Sequence, residues 1–327
     1  MNRTHLGIKK NKSEGMNRLT EELIIDESKI TQLINIDSQI DSLRIGNTAE
    51  IQIDAMALIA RLKQVKGIDK IEELIIDYNS SLSDLSIISI FPNLKYLFVY
   101  GQHIQSLDGI ESFNKGEYIK IRTHRNRSRD LSQLSNTKVE AIDLFVERKE
   151  DFTAIAGCKH LKTIDIYHSM EPKFEEWKEA NMERLSFKSC KFKEFGNTAK
   201  INGLVDVYIL GCRSLERFTG DNSNVKRVVV DGCKKLDLST IRSFKRLETL
   251  IVNSCTQEMN LTDIGGLHQI RHIDFILCKV KVDLIDLKEY FPQLETLHIS
   301  QMKKDYGMQL KELNPDVKIS SGSFKFE

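Results

Sequence analysis

Five of the six cysteines recur at one spacing: Cys190, Cys212, Cys233, Cys255 and Cys278 follow one another at 22, 21, 22 and 23 residues. Cysteines can form disulfides, bind a metal or act as an activated nucleophile. Zinc sites usually draw thiolates from close CxxC pairs, and this chain has none. Thiols one period apart along a stack of repeats do not converge on one ion. The spacing therefore predicts buried structural thiols. Cys158 stands off the series, just before Leu161, and is expected to pack in the core.

His272, Asp274, His298 and Ser300 form a second set with chemical potential. Asp274 and His298 fall at equivalent positions of adjacent periods, and His272 precedes Asp274 by two residues. Hydrolysis by a serine needs a base oriented by an acid, oxyanion donors and shelter from water. An open sheet offers no such shelter, so neither catalysis nor a metal is assigned, and the chain is expected not to be an enzyme. No cofactor is implied, and glycine-rich phosphate loops are absent. The run 120–129 (KIRTHRNRSR) carries Lys120, Arg122, Arg125, Arg127 and Arg129. Such a cluster suits phosphate or nucleic acid, an acidic protein, or a solvated loop.

The cysteine spacing belongs to a longer pattern. Triplets of apolar anchors run from Ile71, Leu74 and Ile76 to Leu294, Leu297 and Ile299, making eleven units at spacings of 21 to 24. Each ladder cysteine stands eight residues after the first anchor of its unit. One short strand per unit, joined by crossovers too long for hairpins, predicts a parallel sheet. A single unit cannot bury its apolar row, whereas stacked neighbours share a core.

This pattern resembles the leucine-rich repeat family, in its short class of about 22 residues seen in internalin-like proteins. The consensus LxxLxLxxNxLxxLxxL is clearest in residues 96–107 (YLFVYGQHIQSL) and 247–264 (LETLIVNSCTQEMNLTDI). The resemblance covers roughly residues 71–319. It implies an α/β solenoid, a horseshoe or arc of about 11–12 repeats with the parallel β-sheet on its concave face. The cysteines fill the consensus Asn slot, as do Asn79 in the first unit and Ser169 in the fifth. There a side chain turns inward and meets buried carbonyls. Protein recognition is the usual role that the resemblance implies.

Around this solenoid, expected at 71–312, residues 1–18 are polar, basic and aperiodic and are read as disordered. Residues 19–70 are read as an N-terminal cap: Ile40, Leu43 and Ile45 repeat the strand pattern, and a helix is expected after Asp54. Residues 313–327 form the C-terminal cap, with Val317 and Ile319 on a closing strand. The first 18 residues hold no apolar signal region, and no apolar run spans a bilayer. With unpaired cysteines this gives a cytoplasmic expectation. The 48 basic and 47 acidic residues give a net charge of +1, so there is no global drive toward nucleic acid or membranes.

Strand alternation places the residues between the inward anchors on the concave face. The candidate partner-binding surface is Tyr96, Phe98, Tyr100, Tyr118, Lys120, Arg122, Asp143, Phe145, Asp165, Tyr167, Lys188 and Tyr208. Aromatic rings bury much area with few rotors and anchor interfaces, although β-propensity alone also enriches strands in them. Asp143 and Asp165 read either as an address for a charged partner or as a salt-bridge ladder with Lys120. A protein partner follows; a bacterial toxin-neutralising immunity protein or an adaptor is the specific expectation. Nucleic-acid or phosphate-ligand binding through the basic loop Arg122–Arg129, with Arg125, Arg127 and Arg129, is the alternative.

Overall fold

The computed structural model describes residues 7–12, 19–49, 54–123, 130–169, 172, 174, 177, 181–255, 257–322 and 324–326. The chain divides into two compact units, Met1–Leu144 with Thr153–Leu161, and Phe145–Phe152 with Lys162–Glu327. Its fold class is the α/β solenoid of leucine-rich repeats: short parallel strands at the repeat period, joined by 3-10 turns, short helices and loops.

In the first unit the strands Leu19–Asp26, Ser42–Gly46, Glu73–Ile76, Tyr96–Val99 and Tyr118–Ile121, and residues 141–144 of the strand Ala141–Phe145, pair in that order, all parallel. The strand Gly7–Lys12 adds an antiparallel edge to Leu19–Asp26. Residues 7–12 thus depart from the disorder expected of 1–18, since pairing gives their backbone groups partners. The strand Leu19–Asp26 was not anticipated as a rung; its inward Leu23 and Ile25 are buried. The expected helix is Ala55–Leu62, where the Asp54 carboxylate accepts from Met56 N–H at 3.0 Å and Leu58, Ile59 and Leu62 are buried.

The second unit continues the design through Thr163–Tyr167, Arg184–Lys188, Asp206–Leu210, Arg227–Asp231, Thr249–Asn253, His272–Ile276, Thr296–Ile299 and Lys318–Ser321, again all parallel. The antiparallel strand Phe324–Phe326 closes it. Strands stand at all eleven predicted units, and Lys318–Ser321 is the closing rung.

Period-2 burial follows the anchors. Leu74, Ile76, Leu250 and Val252 are fully buried, while Ile251 between the last two is half-buried. Rings knit the second unit's core: Phe174 lies 5.4 Å from Trp177 and 5.8 Å from Phe195, and Phe218 lies 5.0 Å from Phe244 between ring centroids. Local chemistry starts the connections. Asp26, Asp130 and Asp237 each accept from the N–H two residues on, capping a 3-10 turn. Gly116 stands where other units place a large anchor, and the space belongs to Phe113. A Cβ on Gly116 would sit 2.1 Å from that ring.

Candidate functional site

The ladder cysteines behave as predicted. All six cysteines are free and buried. Each ladder sulphur meets backbone carbonyls beneath the bend after its strand. Cys190 Sγ lies 3.6 Å from both Ile166 O and Lys188 O, Cys233 Sγ lies 3.6 Å from Ile209 O, and Cys278 Sγ lies 3.4 Å from Val252 O. A thiol here satisfies carbonyls that the consensus amide would otherwise meet. Contact with the Cys212 sulphur, together with burial, holds the Cys190 and Cys233 thiols well above the ordinary range. Burial pushes Cys158, off the ladder, up to about 12.

The bend itself needs an unusual backbone. The residue before each ladder cysteine has a positive φ: Ser189 (55°), Gly211 (66°), Gly232 (66°), Ser254 (54°) and Leu277 (53°). His168, before Ser169, is the same (55°). This left-handed turn carries the chain from the strand into the inward slot. The Gly-Cys pairs at 211–212 and 232–233 were the sequence signal for it.

On the first unit the register brings together the predicted row Phe98, Lys120 and Asp143, and beside it Tyr96 with Tyr118. The rings of Tyr96, Tyr100 and Tyr118 are half-buried. Phe98 is not displayed: it is 2% exposed. It occupies the predicted face, but the Tyr118 ring lies 5.6 Å from its own and packs against it. Ile75 and Asp143 are buried in the same row, at 8% and 4%.

The buried carboxylate of this row has a cation of the chain itself. Arg122 grips Asp143 with two parallel bonds, Nε to Oδ1 at 2.9 Å and a terminal nitrogen to Oδ2 at 3.1 Å. The bidentate fork fixes both side chains. Lys120 Nζ sits 5.8 Å from the centre of the Tyr100 ring. Tyr96 Oη donates to the Glu117 carboxylate at 2.8 Å.

The second unit carries its own cluster. Phe145 meets Tyr167 edge-on at 5.8 Å and stacks on His168 at 5.0 Å, 15° from parallel. Lys188 Nζ bonds Asp165 at 2.6 Å and lies 5.3 Å from the Tyr167 ring centre. Burial works against the Lys188 charge, and the Asp165 carboxylate more than offsets it, leaving its pKa above the ordinary lysine value. Arg184 lies over Tyr208 at 5.8 Å. Cations above ring faces in both units make amphipathic platforms, apolar in area and polar at the rim. Asp143 and Asp165 are therefore held by cations of the chain itself, Arg122 and Lys188.

His298 Nδ1 lies 2.8 Å from Ser320 Oγ, and its Nε2 lies 3.9 Å from Asp274. Ser300 is occupied elsewhere, its Oγ accepting from Leu277 N–H at 2.9 Å. His272 Nδ1 meets Thr296 Oγ1 at 2.9 Å. Each histidine is thus engaged with a neighbouring hydroxyl, and Ser320 rather than Ser300 faces His298. Arg125, Arg127 and Arg129 lie outside the described residues. Among the described residues no helix is long and apolar enough to cross a membrane.

No family model matches the sequence, and no curated protein does. Solved structures with similar folds include an internalin, InlF, from Listeria monocytogenes. It is 14% identical, with 87% of this chain and 90% of that one covered and a TM-score of 0.46. A leucine-rich repeat protein of Leptospira interrogans is 13% identical over 91% and 95%, with a TM-score of 0.33. The functional domain of InlJ from Listeria monocytogenes, described as including a cysteine ladder, is 12% identical over 90% and 65%, with a TM-score of 0.38.

Proposed function

We propose that this leucine-rich repeat chain is a protein-binding module that grips its partner with the ring platforms of its sheet. The observation that carries this reading is the cation-over-ring arrangement: Lys120 on Tyr100 in the first unit, and Lys188 on Tyr167 in the second. Half-buried rings held in place by their neighbours lose little freedom when a partner covers them. Because Asp143 and Asp165 already have cations of the chain itself, the rings supply affinity and the ion pairs orient them. The charged address expected of the two carboxylates is not part of this reading.

The specific role we propose is that of a cytoplasmic immunity protein or adaptor, in a bacterium. Buried free thiols support a reducing compartment. We retain the division into a start at 1–18, a cap at 19–70, a solenoid at 71–312 and a closing cap at 313–327. Nucleic-acid binding is the weaker reading, because Arg122 is committed to Asp143.

Affinity capture from the native host, with partners identified by mass spectrometry, tests the proposal. Tyr100→Ala and Tyr167→Ala are expected to weaken the captured complex by about 2 kcal/mol each. Both rings pack against neighbours, so stability should fall by about 1 kcal/mol or less, leaving both variants folded. Capture of no stoichiometric protein, or full affinity in both variants, would remove this reading.

A further inference from the structure

A groove at the closing end of the second unit has no part in the concave platforms. It is a cavity of about 420 Å³ between the helix Lys304–Leu313 and the strand Phe324–Phe326, lined by Lys304, Met308, Lys311, Glu312, Pro315, Lys325 and Phe326. Lys304, Met308 and Lys311 recur at helical spacing and so share one face. Its apolar lining is open to solvent at Met308, which is 48% exposed. Among the described residues, Phe324–Phe326 pairs only with Lys318–Ser321, so its outer backbone edge carries no strand.

We propose that this groove receives an extended peptide of acidic and apolar residues, added as a strand to the edge of Phe324–Phe326. Strand addition takes affinity from main-chain hydrogen bonds and specificity from pockets for alternate side chains. Met308 and Phe326 supply the apolar pocket. Three lysines against one glutamate make the rim cationic. Lys304 is steered over the Phe324 ring, 5.7 Å from its centre, and Lys311 is anchored on the carbonyls of Pro315 and Val317 at 3.1 and 3.2 Å. Each remains a cation beside the groove.

Fluorescence anisotropy of the full chain with a labelled octapeptide of alternating Glu and Val tests this. Two comparison peptides are alternating Lys and Val, and the acidic peptide with a central residue replaced by proline, which removes a ladder donor. Saturable binding of the acidic peptide is expected, with no binding of the lysine peptide. The affinity should fall at least about tenfold for the proline peptide, and at least about tenfold for the protein carrying Lys304→Glu with Lys325→Glu. Both lysines are solvent-exposed, so that variant should melt like the parent. Absence of saturable binding overturns the proposal, as does equal binding by the double variant. Undiminished binding of the proline peptide overturns strand addition. Tyr100→Ala and Tyr167→Ala should leave the peptide affinity unchanged. Loss of peptide binding in those variants would place it on the concave platforms and overturn the groove, whereas a failed partner capture leaves the groove result intact.

Discussion

Leu277 shows how a single residue departs from the rule of its repeat. It occupies the left-handed bend before Cys278, where two other rungs use glycine, and its side chain is 60% exposed. An L-residue in this region bears a steric cost that glycine lacks. Little burial offsets it here. Leu277→Gly is therefore expected to raise stability by about 0.5–1 kcal/mol, measured by denaturant unfolding. Unchanged or lower stability would mean that the leucine packs more usefully than its exposure shows. Phe98 gives the opposite lesson. Its place on the concave face was legible from strand alternation, but its burial was not. Whether a ring on that face meets solvent depends on neighbours such as Tyr118, one whole period away in sequence.

At the scale of strands and turns, the two carboxylate–cation pairs are alike in sequence and unlike in cost. Asp143 is 4% exposed and gripped by Arg122, whereas Asp165 and Lys188 are both half-buried. Removing one partner of a buried pair leaves an uncompensated charge. Arg122→Ala should cost about 3 kcal/mol, and Lys188→Ala about 1 kcal/mol or less; chemical denaturation of both variants reads the difference. Equal costs would mean that water screens both pairs alike. Caps give a pH signature. At Asp26 burial opposes ionisation, but hydrogen bonds from Thr48 and Ser28 prevail, and the carboxyl lies below its ordinary value of 3.8. A pKa lowered on folding adds stability above the unfolded value, and that stability is lost as pH falls through the folded one. Asp26→Asn keeps an acceptor at the cap and cannot ionise. Its melting temperature should fall less steeply than the parent's on acidification below 3.8. Parallel curves for the two proteins would exclude this contribution. The aspartates that begin 3-10 turns were visible in the sequence, but their role needs the bond to the N–H two residues on.

At the scale of the whole molecule, stability is a sum over stacked neighbours rather than the property of one central core. Leu250 is fully buried and its strand pairs with Arg227–Asp231 on one side and His272–Ile276 on the other. Leu250→Ala should cost about 2–5 kcal/mol through the cavity it leaves. Amide exchange should quicken first in those two flanking strands. Uniform acceleration throughout the second unit would instead mean that it unfolds as one block. The sequence by itself determined the period, the rungs at Glu73–Ile76 through Lys318–Ser321, the inward anchors and the sealed cysteine row. Those features repeat, and a repeat can be read along one dimension because each unit meets only its neighbours. Only the tertiary structure decided which concave groups stay at the surface and which cation holds which carboxylate. It also decided that Leu19–Asp26 and Gly7–Lys12 extend the sheet. Such outcomes depend on how long side chains lie across adjacent strands and on whether an edge finds a partner, and the local pattern of residues specifies neither.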